Sequence, residues 1–276
     1  MGNQKHNGVL RFWHGIEGVA LTVVLVTLPG VLLSFFFNSD ALDDKWWMWA
    51  ANGAAVTLLF AAGTFWVLKI NNIAPGTLFN LKMSRPGLTF LAAAGVIPAG
   101  VLVDSIAGWL HLLNPDLFSI SAIDGMAAVF FNAPVWGFVI LAVVFSLMPA
   151  IAEELLFRGL VLESFRRDMP AGFAVIYSSL LFGFIHFNWL QGSAAVFLGI
   201  YLAFTAVQTG SIIPAMAAHF INNLSWCLLA GFDSAGMEKT LNSGYDTLTT
   251  VASSVALAVI IALLIAANKE TTRHKT

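Results

Sequence analysis

The sequence predicts an all-α, polytopic membrane protein with about eight transmembrane helices in a single domain, residues 1–276, and three observations predict it. The chain of 276 residues is 58% hydrophobic and only 10% charged, whereas an average soluble domain carries about 25% charged residues. Several uninterrupted apolar runs reach the roughly 20 residues that a helix needs to cross a bilayer. Helix breakers and most charges fall between those runs. A net charge of −2 gives no reason to expect nucleic acid as a partner. The single Cys227 excludes an internal disulfide and any cysteine-based metal cluster, and reads as a small buried thiol. The first apolar run is too long for a cleaved signal peptide, and no small-residue cleavage site follows it. Met1-Gly2-Asn3 opens like a myristoylation site, but His6 stands where Ser or Thr is wanted.

The first span covers about Ile16 to Phe37, with Arg11 and Trp13 ahead of it. An acidic turn (Asp40, Asp43, Asp44) leads into the second span, about Trp46 to Leu68. Lys69, Lys82 and Arg85 mark the next loop, where Pro75, Gly76, Pro86 and Gly87 break helix. A third span runs roughly from Leu88 to Val103 and continues toward Leu113. After a loop from Asn114 to Asp124, a long fourth element reaches Arg166 and Arg167. The fifth span is about Ala171 to Phe187, the sixth Leu190 to Val207, the seventh Ile212 to Leu229 and the eighth Leu248 to Ala267. Eight spans put Arg11, Lys69, Lys82, Arg85, Arg166, Arg167 and the tail with Lys269, Arg273 and Lys275 on one face. Trp46, Trp47, Trp109 and Trp189 fall near the other. By the positive-inside rule both termini are cytoplasmic, and the expected location is the cell (inner) membrane.

The stretch from Pro149 to Arg158 places Glu153, Glu154 and Arg158 inside a long apolar run. Ionisable groups in such a place are costly and point to function. Glu154 and Arg158 are four residues apart, in the favourable order for a helical ion pair. Glu153 points about 100° away from Glu154, so the arginine can neutralise one carboxylate and leave the other free. Phe182 and His186 share the four-residue spacing in the fifth span, as do His219 and Asn223 in the seventh. If Arg167 marks the cytoplasmic end of the fourth helix, Glu153 lies about 20 Å above it. Counted from the same surface, His186 lies at about 22 Å, His219 at about 12 Å and Asn223 at about 18 Å. That coincidence needs the fourth helix to continue past Arg158, with a kink at Pro149. A lone intramembrane histidine or Glu–Arg pair has an ordinary packing reading, and asparagine between helices is common glue. Three helices each bringing a polar group to one level suggest a site. Asp104, His111 and Glu17 fall near span ends and read as interfacial.

Glu153-Glu154-x-x-x-Arg158, Phe182-x-x-x-His186 and His219-x-x-x-Asn223, in this order, resemble the three motifs of the CAAX protease and bacteriocin-processing family (CPBP, Abi, Rce1-like) of intramembrane endopeptidases. The similarity spans about Pro149 to Asn223 and includes Phe157-Arg158-Gly159 and Ser178-Ser179-Leu180-Leu181-Phe182. The resemblance implies an intramembrane catalytic cavity and hydrolysis of a peptide bond. It assigns Glu153 as the base that activates water, His186 as its assistant, and His219 and Asn223 as donors to the oxyanion. Glu154 and Arg158 would support the site, and Phe182 would help bind substrate. The implied partners are a peptide or protein substrate, lipid-modified or not, and membrane lipids.

Two questions stay open at this level. Glu153, His186 and His219 could supply a His₂Glu set for Zn2+ with an open fourth position. No HExxH is present, however, and such ligation would occupy the only unpaired base, so no cofactor is favoured. The same polar groups could also serve a transporter relay or a non-catalytic immunity or scaffold protein. Internal repeats, frequent in transporters, are not evident, nor are the GxSG and GxGD motifs of other intramembrane proteases.

Overall fold

The computed structural model describes residues 9–34, 45–82, 86–232 and 244–273. The acidic turn (Asp40, Asp43, Asp44), Arg85, His6, Lys275 and most of the polar loop after Phe232 lie outside the described residues. All regular elements among the described residues are helical, as a lipid-embedded chain requires if each backbone N–H and C=O is to find a partner within its own segment. In order they are α1 (Phe12–Ser34), α2 (Trp46–Ile70), α3 (Pro86–Ala94), α4 (Val96–Leu113) and α5 (Ser121–Asn132). There follow α6 (Val135–Asp168), α7 (Ala171–Phe184), α8 (Trp189–Thr209), α9 (Ile213–Phe232) and α10 (Thr247–Arg273).

Among the described residues, five helical stretches are long and apolar enough to cross a membrane: Trp46–Ile70, Pro86–Leu113, Val135–Asp168, Trp189–Thr209 and Thr247–Asn268. Phe12–Thr27, Ile123–Asn132 and Ala171–Phe184 are apolar but shorter, so the expected count of about eight spans is not confirmed. The shortfall has local causes. The fifth span was expected to reach Phe187, yet α7 stops at Phe184 after 14 residues, or about 21 Å of helix. In α9 the polar His219, Asn222, Asn223 and Ser225 dilute an otherwise apolar run of 20 residues.

The long fourth element is present, and it positions the site. Pro134 precedes its first turn in an extended conformation, and the backbone then stays helical through Pro149 to Asp168. Proline lacks the N–H that an α-helix needs and crowds the preceding turn. Here a π-helical turn, Val143–Leu147, directly precedes Met148 and Pro149, where a kink was expected. A second π turn, Leu155–Val161, begins immediately after Glu154. Such insertions in an α-helix re-aim side chains and are frequent at functional sites.

α7 and α8 form a close antiparallel pair. Phe187, between them, has a φ of +50°, unusual for a bulky residue. Asn188 then caps α8 by accepting from the Gln191 backbone N–H at 2.9 Å. The pair packs backbone on backbone: a Cβ at Gly192 would sit 2.8 Å from the carbonyl oxygen of Gly183. Gly210, with φ +64°, ends α8 in the left-handed conformation.

Hydrogen bonds tie several helix ends together on one face. The Phe12 N–H donates to Asp168 at 2.8 Å, and the Asn71 side chain donates to Glu17 at 3.0 Å. Asn80 donates to the carbonyl of Gly210 and accepts from the Ile212 N–H. Arg11, Lys69, Lys82, Arg166 and Arg167 are exposed at this end. Inside, one apolar cluster joins α1, α2, α4, the second half of α6, α7, α8 and the start of α9. A second joins α5, the first half of α6 and the end of α9 around Phe130, Leu141 and Cys227. On α9 the polar residues fall where one cluster gives way to the other.

Candidate active site

The helical offset between adjacent residues sends the two glutamates in different directions. Glu154 is 0% exposed and Arg158 1%, whereas Glu153 keeps 17% of its side chain accessible. Arg158 Nη1 lies 3.0 Å from Glu154 Oε1, an ion pair within one turn of the helix. Its Nη2 donates to the carbonyl of Gly199 on α8 at 3.1 Å. The guanidinium also lies over the Phe182 ring, 4.6 Å from the centroid, a cation–π contact that gains strength away from water.

Glu154 has a second partner that spacing did not reveal. His219 Nδ1 is 2.9 Å from the same Oε1, and His219 Nε2 is 3.9 Å from Glu153 Oε2. With Glu154 ionised against Arg158, the hydrogen of this contact belongs on Nδ1 and His219 donates. Nε2 is thereby turned toward Glu153, so one imidazole is hydrogen-bonded to Glu154 and lies near Glu153. The expected pairing of Glu154 with Arg158 alone is extended to a three-residue group.

His186 does not sit in a helix as expected. It occupies the turn after α7, with Nδ1 2.8 Å from the carbonyl oxygen of Phe182. A carbonyl can only accept, so Nδ1 carries the hydrogen and Nε2 keeps a lone pair. Phe182 is 1% exposed. It meets Phe157, His186 and His219 edge to face at centroid distances of 5.0, 5.2 and 5.8 Å. Its ring therefore holds the arginine and both histidines in register while also reaching the cavity. Asn223 Oδ1 accepts from the Asn222 side chain at 3.2 Å, which leaves the Asn223 NH₂ available as a donor.

Glu153, Phe182, His186, His219 and Asn223 all line one cavity of about 520 Å³. Glu154 and Arg158 stand behind its wall. The cavity also takes in residues that motif reading passed over: Asp104 on α4, Asn222, Gln191 and Tyr245. Asp104 had read as interfacial and instead faces the same space as Glu153. The signal was present, since it is the one acidic residue between Pro86 and Asn114. Among the described residues no three His, Cys, Asp or Glu side chains are grouped closely enough to hold a metal ion. Glu153, His186 and His219 thus share a cavity without closing into a zinc-binding set.

The chain is 32% identical over 170 residues to the uncharacterized protein YyaK of Bacillus subtilis (strain 168). That match covers 56% of this chain, and the chain spans about half (50%) of the relative's length. No solved structure matches the chain. The family model for type II CAAX prenyl endopeptidase Rce1-like proteins matches residues 134–225, a segment that runs from the start of α6 to Ser225 and contains all three motifs. The family resemblance carried by those motifs is borne out over this segment, and the protein is similar there to the Rce1-like intramembrane endopeptidases.

Proposed function

We propose that this protein is an intramembrane endopeptidase in which Glu153 activates the attacking water. The observation that carries the reading is the division of labour between adjacent glutamates: Glu154 is consumed by Arg158 and His219, while Glu153 opens onto the cavity. In this reading Glu153 takes a proton from water as its oxygen bonds to the scissile carbonyl carbon. His186, with Nε2 bare, holds that water and shares its proton. The carbonyl oxygen becomes an oxyanion and receives hydrogen bonds from the Asn223 amide and from His219. Because His219 Nδ1–H is engaged by Glu154, donation from Nε2 requires the imidazolium form, whose charge also suits the oxyanion. Collapse of the tetrahedral intermediate breaks the C–N bond, and the proton held by Glu153 passes to the leaving amine. One water is consumed, and a carboxylate and an amine are released.

The substrate is a peptide or protein segment, lipid-modified or not, that reaches the cavity from the membrane. The protein sits in the cell membrane with both termini cytoplasmic. The reaction runs without a bound metal in this reading, supported by the failure of the histidines and carboxylates to group as ligands. The test compares peptides released from membranes by wild-type and Glu153→Gln protein. The substitution should lower cleavage by about 10²–10⁴-fold and leave the unfolding midpoint unchanged. Cleavage that survives Glu153→Gln would overturn the assignment of the base. Chelators should leave the rate unaltered; loss of activity restored by Zn2+ would overturn the metal-free reading.

A further inference from the structure

We propose that Asp104 forms a second subsite of this cavity and selects peptides that carry a basic side chain near the cleaved bond. The proposal rests on the peptidase reading for the identity of the occupant, and on independent features of the cavity for its charge. Asp104 lies on α4, across from the motif helices, and its carboxylate lines the same space as Glu153. Its carboxylate makes no hydrogen bond or ion pair with any described residue. Glu153 has His219 Nε2 at 3.9 Å; among the described residues no cationic group is paired with Asp104. Among the described residues lining the cavity there are two carboxylates, Asp104 and Glu153, and no Lys or Arg. An ionised carboxylate withdrawn from bulk water without a partner is costly. A lysine or arginine side chain brought in by the ligand would supply the missing charge and make a charge-assisted hydrogen bond. The same carboxylate would repel an acidic side chain, which turns a preference into discrimination. The apolar residues of α4 on either side, Gly100, Val101, Val103 and Ala107, suit the methylene stem of such a side chain.

The test measures binding of matched apolar decapeptides to protein in nanodiscs by fluorescence anisotropy. The peptides carry arginine, its neutral isostere citrulline, or glutamate at one position moved along the chain. The Glu153→Gln protein is used so that binding is not confused with turnover. At the position that meets Asp104, the arginine peptide should bind about tenfold tighter than the citrulline peptide, with the glutamate peptide weakest. Adding Asp104→Asn should bring the arginine-to-citrulline ratio to about one, and Asp104→Glu should keep it. A ratio near one at every position in the Glu153→Gln protein overturns the proposal, even if Asp104→Asn does not fold. Retention of the preference in the folded double variant overturns it as well. Cleavage of the same peptides by wild-type protein is scored separately. An arginine preference in binding without any cleavage would overturn the peptidase reading and leave the charge subsite standing.

Discussion

Glu153 and Glu154 show how much one step along a helix decides. The offset of about 100° sends Glu154 into contact with Arg158 and His219 and sends Glu153 to the cavity. Their substitutions should therefore fail differently. Glu154→Gln leaves the fully buried guanidinium without its counter-charge, and removing one partner of a buried pair costs about 3–5 kcal/mol. It also replaces the charged acceptor of His219 Nδ1–H by a neutral amide, so activity and unfolding midpoint should fall together. Replacing both partners, Glu154→Gln with Arg158→Met, should recover part of the stability and none of the activity. Thermal unfolding and peptide cleavage on the three variants check this, and a stable, active Glu154→Gln protein would remove the supporting role. The motif spacing makes the Glu154–Arg158 pair legible in the sequence. The contact between Glu154 and His219, 65 residues apart in sequence, is not, because nothing in local periodicity says which face of α9 meets α6.

At the scale of elements, the site depends on how closely α7 approaches α8. His186 sits in the turn that joins them, and its Nδ1 is held by the Phe182 carbonyl near the end of α7. The approach is set by Gly183 and Gly192, whose backbones are in contact. An alanine at Gly192 would place its Cβ 2.8 Å from the Gly183 carbonyl oxygen, closer than packed atoms tolerate, and nothing but backbone can yield. Overpacking of this kind costs about 1–3 kcal/mol. Gly192→Ala should therefore lower stability by about that amount and reduce kcat by displacing His186. Gly172→Ala, at the open start of α7 with nothing within 4 Å, should leave both unchanged. Denaturation and single-turnover cleavage of the two variants make the comparison. Apolar runs and turn residues made the existence and order of these helices legible. The end of α7 was misjudged because Ile185, His186 and Phe187 continue an apolar pattern, while Asn188 ends it by capping the following helix.

For the molecule as a whole, the two ends of the helices differ in charge and in aromatic content, and that asymmetry predicts orientation. Arg11, Lys69, Lys82, Arg166 and Arg167 are exposed at the end where Phe12 bonds to Asp168 and Asn71 to Glu17. At the other end Trp46 packs against Trp136 with centroids 4.5 Å apart, and Trp47, Trp109 and Trp189 are exposed. Lys and Arg near span ends are retained on the cytoplasmic side, and tryptophan prefers the headgroup region. This comparison of ends does not depend on the number of spans, because it uses contacts between helix termini instead of counting crossings. Single cysteines test it against a quiet background, since the native Cys227 is 0% exposed. In intact cells a membrane-impermeant maleimide should label Asn114→Cys and spare Lys69→Cys and Arg167→Cys, all three positions being exposed. Permeabilised cells should label all three. The reverse pattern would invert the protein in the membrane and place the Glu153 cavity opposite to where a substrate entering from the cytoplasmic leaflet would meet it. Labelling of Lys69→Cys and Arg167→Cys from opposite sides would break the shared face itself and, with it, the depth alignment of α6 with α7 and α9.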